Sequence, residues 1–97
     1  MENKVEIEKR VKEDIFKFFA EQCSVDEASL NEETQIIEDL GGDSLMFVQL
    51  LESWKSKYNI EVEFRVIGRY MINNPVNTLG DAISLAVQII TEKEKFA

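Results

Sequence analysis

Apolar residues in this 97-residue chain recur every three or four positions through most of its length, the spacing of helices that bury one face. Ile7, Val11, Ile15, Phe18, Phe19 and Gln22 step in this way, apolar at all but the last. Lys4, Glu8 and Lys12 take the other side, so the pattern predicts a helix from residue 4 to about 22. A second helix, over 44–58, places Val48, Leu51, Trp54 and Tyr58 on its inward face. Leu45 and Leu50 widen that stripe, and Met46, Phe47, Gln49 and Ser53 fall at its margins. A short helix is expected within 64–73, using Val66, Ile67, Tyr70 and Met71 and ended by Asn73-Asn74-Pro75. Thr78-Leu79-Gly80-Asp81 has the form of a capping box with Asp in place of Glu or Gln. It opens a last helix to about residue 94, with Leu79, Ile83, Ala86 and Ile90 along one face.

Two stretches break the helical pattern. Residues 24–43 form a long connection in which Val25, Leu30, Ile36, Ile37 and Leu40 are spaced as anchors, so an ordered loop pinned onto the core is expected. Ile60-Glu61-Val62-Glu63-Phe64 alternates as a strand would, but no second candidate strand exists to pair with it, and it reads as an extended connection. The outcome is one all-α domain over residues 1–97, a bundle of three main helices with a short one before the last.

Composition narrows the function. The net charge is −8, and residues 22–43 alone hold seven acids and no base, giving −7. Such a surface repels nucleic acid and steers basic partners toward it. The chain has no histidine and one cysteine, which excludes an internal disulfide and fits a cytoplasmic setting. Neither a charged-then-apolar leader nor an apolar run of membrane length is read, so no membrane insertion is expected. The acids of the loop lack the spacing of a calcium-binding loop, and no metal site is assigned.

The candidate chemistry lies in Asp39-Leu40-Gly41-Gly42-Asp43-Ser44-Leu45. Two glycines break the chain, and a helix begins at or beside Ser44. A serine there either caps the helix or presents its hydroxyl where unpaired N–H groups and the helix dipole favour an anion, such as an attached phosphodiester. With no histidine as base and no Cys or His cluster for zinc, Ser44 lacks the machinery of a nucleophile; it is better suited to being modified by another enzyme, and the chain is not read as an enzyme itself.

Glu38 to Leu45, the apolar pattern of the second helix and Thr78-Leu79-Gly80-Asp81-Ala82-Ile83 together resemble the acyl carrier proteins over roughly residues 7–92. The resemblance implies that Ser44 carries a covalent 4′-phosphopantetheine, installed from coenzyme A by a phosphopantetheinyl transferase that reads the flanking Asp43 and Leu45. The arm would hold acyl groups as thioesters for a loading ligase and for the synthases of fatty acid, polyketide or related synthesis, with the carrier a monomer. Leu50, Leu51, Trp54, Val66, Ile67 and Met71 become candidates for the wall of an acyl pocket, with ordinary core as the bland reading of each.

The resemblance places partner docking at Glu38, Asp39, Met46, Phe47, Gln49, Arg65 and Arg69. Met46 and Gln49 stand where fatty-acid carriers usually have acids, and the 62–79 region looks longer than in typical members, which suggests a specialised carrier. Two other readings stand beside it. One is an aminoacyl, D-alanyl or peptidyl carrier loaded by an adenylating ligase, to which Val48-Gln49-Leu50-Leu51-Glu52 is somewhat similar. The other is an adaptor of the same fold without the arm, against which the intact Asp43-Ser44-Leu45 argues.

Overall fold

A computed structural model describes residues 3–41, 44–59, 61 and 63–92, without the side chains of Ser44 and Leu45. Its elements are α1 (Lys4–Cys23), a 3₁₀ turn (Glu27–Ser29), α2 (Ser44–Lys57), α3 (Phe64–Asn73) and α4 (Leu79–Thr91). This is the all-α bundle of three main helices and one short one that the periodicity predicts.

Helices α1 and α4 are bounded by local groups. The Asn3 side chain caps α1 by accepting from Glu6 N–H at 2.9 Å. Ser24, in the left-handed conformation at φ 55°, ends it. Val11, Ile15 and Phe19 are fully buried, and Phe18 meets Phe19 edge-on with ring centroids 5.2 Å apart. The predicted capping box of α4 is complete: Thr78 Oγ1 accepts from Asp81 N–H at 3.1 Å, and the Asp81 carboxylate accepts from Thr78 N–H at 3.1 Å. The helix ends at Thr91, whose hydroxyl turns back to the Val87 carbonyl at 2.7 Å, earlier than the sequence suggests.

Helix α4 lies against α1 and is the centre of the core. Leu79, Ala82, Ile83, Leu85, Ala86, Val87 and Ile89 are buried. Ser84, Gln88 and Thr91 leave only a narrow wetter strip, so burial extends well beyond the single face expected.

The inward face of α2 also differs from expectation. Leu50, Leu51 and Trp54 are buried, while Val48 is 40% exposed. At about 100° per residue, Phe47, Leu50, Leu51, Trp54 and Tyr58 cluster around one direction. Val48 falls about a quarter-turn to the side of that cluster, and the half-buried Phe47 takes its place at the head of the stripe. At the far end of α2, Asp14 of α1 accepts from Lys57 Nζ at 2.6 Å and from the Tyr58 hydroxyl, while the Arg10 guanidinium stacks 5.1 Å from the centre of the Tyr58 ring. Burial first, and then the Asp14 carboxylate, push the Tyr58 hydroxyl well above the usual tyrosine range, so it stays a neutral donor to Asp14.

The connection before α2 is stitched onto the start of α4. Leu79 N–H donates to the Thr34 carbonyl at 2.9 Å, Gly80 N–H to Glu32 at 2.8 Å, and Ile36 N–H to Asn77 at 2.9 Å. The loop thus satisfies the free N–H groups of Leu79 and Gly80 in the first turn of α4, and the capping box satisfies that of Asp81. Leu30 and Ile36 are buried beneath it, but Ile37, read as an anchor, is 69% exposed. A side chain at Gly80 would place its Cβ 2.9 Å from the Glu32 carbonyl oxygen, a backbone atom that has no freedom to move aside. Gly80→Ala should therefore cost about 1–3 kcal/mol as overpacking does. A thermal melt checks the value; an unchanged melting temperature would show that the loop is not held against α4.

Candidate functional site

The chain approaches α2 through one tight turn. Asp39 N–H donates to the Gln35 carbonyl and Gly41 N–H to that of Ile37, both at 3.0 Å. The Asp39 carboxylate closes the turn by accepting from Gln35 N–H at 2.8 Å. Gly41 then takes φ +68°, a left-handed conformation that strains residues with a side chain, although nothing crowds its Cβ position. The helix follows at Ser44.

Ser44 is the first helical residue of α2. Asp43, and the side chains of Ser44 and Leu45, lie outside the described residues. The backbone nonetheless places Ser44 in the first turn of a fourteen-residue helix, where N–H groups have no helical partner and the dipole favours negative charge. The first turn of α2 carries no acid of its own to compete for that field.

The remaining candidates sort by burial. Glu38, Gln49, Arg65 and Arg69 are exposed, and among the described residues the side chain of none of the four makes a hydrogen bond or ion pair. Asp39 is exposed too, but its carboxylate is engaged in the turn, so part of its role is local. Met46 and Phe47 are half-buried and pack against the core. The Met46 thioether accepts from the Cys23 thiol at 3.8 Å, which ties the end of α1 to the start of α2. Burial raises the Cys23 thiol above its ordinary value, so it is the less reactive neutral form that makes this contact. Periodicity misassigns two residues of this surface. Ile37, seven positions before Ser44, and Val48, four after it, read as inward from the sequence, are exposed apolar groups on either side of the helix start.

Of the acyl-pocket candidates, Leu50, Leu51, Trp54 and Ile67 are buried in the common core, and Val66 and Met71 are half-buried against it. Among the described residues, no group of three or more carboxylate, thiol or imidazole side chains could share a metal ion. No described helix is long and apolar enough to cross a membrane.

A family model described as a phosphopantetheine attachment site matches residues 13–83, from the middle of α1 into α4, with Ser44 near the middle of the span. The chain is 40% identical over 74 residues to an acyl carrier protein homolog of Clostridium acetobutylicum, covering 76% of this chain and 72% of that protein. It is 32% identical over 77 residues to the acyl carrier protein of Thermotoga maritima, covering 75% and 88% respectively. Over 50 residues it is 44% identical to the acyl carrier protein of Helicobacter pylori, covering 52% of this chain and 64% of that one.

Proposed function

The chain belongs to the acyl carrier protein family, whose domain bears phosphopantetheine, and from that premise we propose that Ser44 is the attachment residue of a single carrier domain. The observation that carries this is the position of Ser44: it opens α2 three residues after the left-handed Gly41, inside the matched domain. The first turn of α2 would hold the phosphodiester on the Ser44 oxygen through its unpaired N–H groups and dipole. The arm supplies a thiol for thioester chemistry. The protein positions that thiol and presents it to partners, and it is not itself the catalyst. Asp43 and Leu45 flank the serine and are the residues a phosphopantetheinyl transferase would read. Intact mass after incubation with coenzyme A, magnesium and a promiscuous transferase tests the assignment, with Ser44→Ala alongside.

The setting is the cytoplasm, the carrier is a monomer, and its cargo serves fatty acid, polyketide or related synthesis. Docking runs over Glu38, Met46, Phe47 and Gln49 together with the exposed Ile37 and Val48, and extends to Arg65 and Arg69 on α3. This surface relies on apolar contact more than on acids, which fits a carrier with dedicated partners. The holo protein is therefore expected to be a poor substrate for a housekeeping fatty-acid synthase. Transfer rates against that synthase's own carrier measure this, and equal rates would remove the claim of specialisation.

A further inference from the structure

Helix α3 carries an outer stripe that the fold does not use. Phe64, Val66, Tyr70 and Met71 pack against the core around the buried Ile67. Arg65, Gly68, Arg69 and Ile72 are exposed, and their spacing places them within about 100° of the helix circumference. Ile72 is 79% exposed, and among the described residues neither guanidinium has a hydrogen-bond or ion-pair partner.

Gly68 is the unexpected member of this stripe. A glycine inside a helix destabilises it relative to alanine. At Gly80 the nearby Glu32 carbonyl explains the missing side chain, but a Cβ at Gly68 would meet no atom within 4 Å. Its φ is not positive either, so the backbone does not require glycine. The charge of the stripe is also out of keeping with the rest. Residues 64–80 hold two bases and no acid, giving +2 in a chain of net charge −8.

We infer that this stripe docks an acidic segment of a partner protein, whose backbone crosses α3 at Gly68 while its carboxylates pair with Arg65 and Arg69 and an apolar side chain covers Ile72. The inferred contact rests on the docking surface proposed above and does not require the arm. Glycine lets a foreign backbone come close. Arginine takes a carboxylate through two parallel N–H bonds, which sets orientation as well as attraction. The acidic segment 22–43 attracts the opposite sign of charge, so a partner that engages both regions has to match both, and that fixes its register on the carrier. An anionic membrane fits less well, because it repels a chain of net charge −8.

The test places the photo-crosslinking residue p-benzoylphenylalanine at position 72 and irradiates the protein in cells that make it natively. Mass spectrometry identifies the captured segment, which is then synthesised, and its binding to the wild type is measured by fluorescence anisotropy. The segment should carry net negative charge, and its binding should weaken as salt is raised. Arg65→Glu with Arg69→Glu should lower the affinity by about tenfold or more. Gly68→Leu should melt at a higher temperature than the wild type and yet bind about tenfold more weakly, a combination that a merely structural glycine does not give. Capture of a basic or neutral segment, capture of no protein, or binding that survives the charge reversal or Gly68→Leu would overturn the inference. So would arginine-dependent flotation with vesicles of phosphatidylcholine and phosphatidylserine, which would make the ligand a membrane. If the charge reversal does not fold by circular dichroism, Arg65→Gln with Arg69→Gln replaces it. A protein that binds the acidic segment but fails to load in the mass assay refutes the carrier reading alone; one that loads but binds no acidic segment refutes this inference alone.

Discussion

Ser44→Ala is expected to abolish loading completely while leaving the protein folded. Phosphopantetheine attaches through a side-chain oxygen, and alanine has none. No partial activity is available from a neighbour, since the nearest hydroxyl in the same helix is Ser53, more than two turns further on. The fold should hardly register the change. Ser44 is the first residue inside α2 and not its cap, so the loss of about 0.5–2 kcal/mol that follows removal of a capping side chain does not apply. Alanine also has the highest helix propensity. Mass spectrometry should show one added phosphopantetheine on the wild type and none on the variant, with superimposable thermal melts. A variant that still gains the group would move the attachment site elsewhere. Failure of both proteins to gain it, with several transferases and a folded wild type, would favour an adaptor that shares the fold and lacks the arm.

The largest effect on stability is expected from Leu51→Asp, and its contrast with Val48→Asp tests which face of α2 is buried. Leu51 is 4% exposed and sits in a cluster with no buried polar residue among those described. Removing a buried leucine side chain costs about 2–5 kcal/mol. Leaving a carboxylate without a partner in the same place adds a desolvation penalty of several kcal/mol more. Together these rival the whole stability of a typical domain, about 5–15 kcal/mol, so Leu51→Asp should be largely unfolded by circular dichroism at room temperature. Val48 is 40% exposed, and an aspartate there can keep its carboxylate in water. Its cost should fall near the range of about ±0.5 kcal/mol usual at the surface. If Val48→Asp proved the more damaging of the two, the helix would be rotated from the position described.

The location of Val48 shows how far periodicity reaches. A helix that buries roughly a third of its circumference has marginal positions on both sides, and a set of three- and four-residue steps can start from either of them. The series from Val48 and the series from Phe47 both pass through Leu51, Trp54 and Tyr58. Only the neighbours of α2 choose between them, and they leave Val48 exposed. Ile37 has the same origin: an apolar residue in a loop reads as an anchor until the turn that contains it is seen to point it away from the core.

By itself the sequence determined the features whose cause is local. The start of α4 and the end of α3 follow from apolar spacing together with Thr78, Asp81 and the Asn73-Asn74-Pro75 break, since these groups act on backbone within four residues of themselves. The glycine break and the serine that opens α2 were equally legible, because a turn and a helix start depend on adjacent residues. What joins distant parts of the chain was decided by the tertiary structure alone. The hold of Glu32 and Thr34 on the start of α4, the requirement for glycine at position 80, the clamp of Asp14 on Lys57 and Tyr58, and the burial of the Trp54 indole all depend on packing. Their physical reason is shared: each residue is compatible with many surroundings, and its role is set by the atoms that the folded chain brings within contact distance.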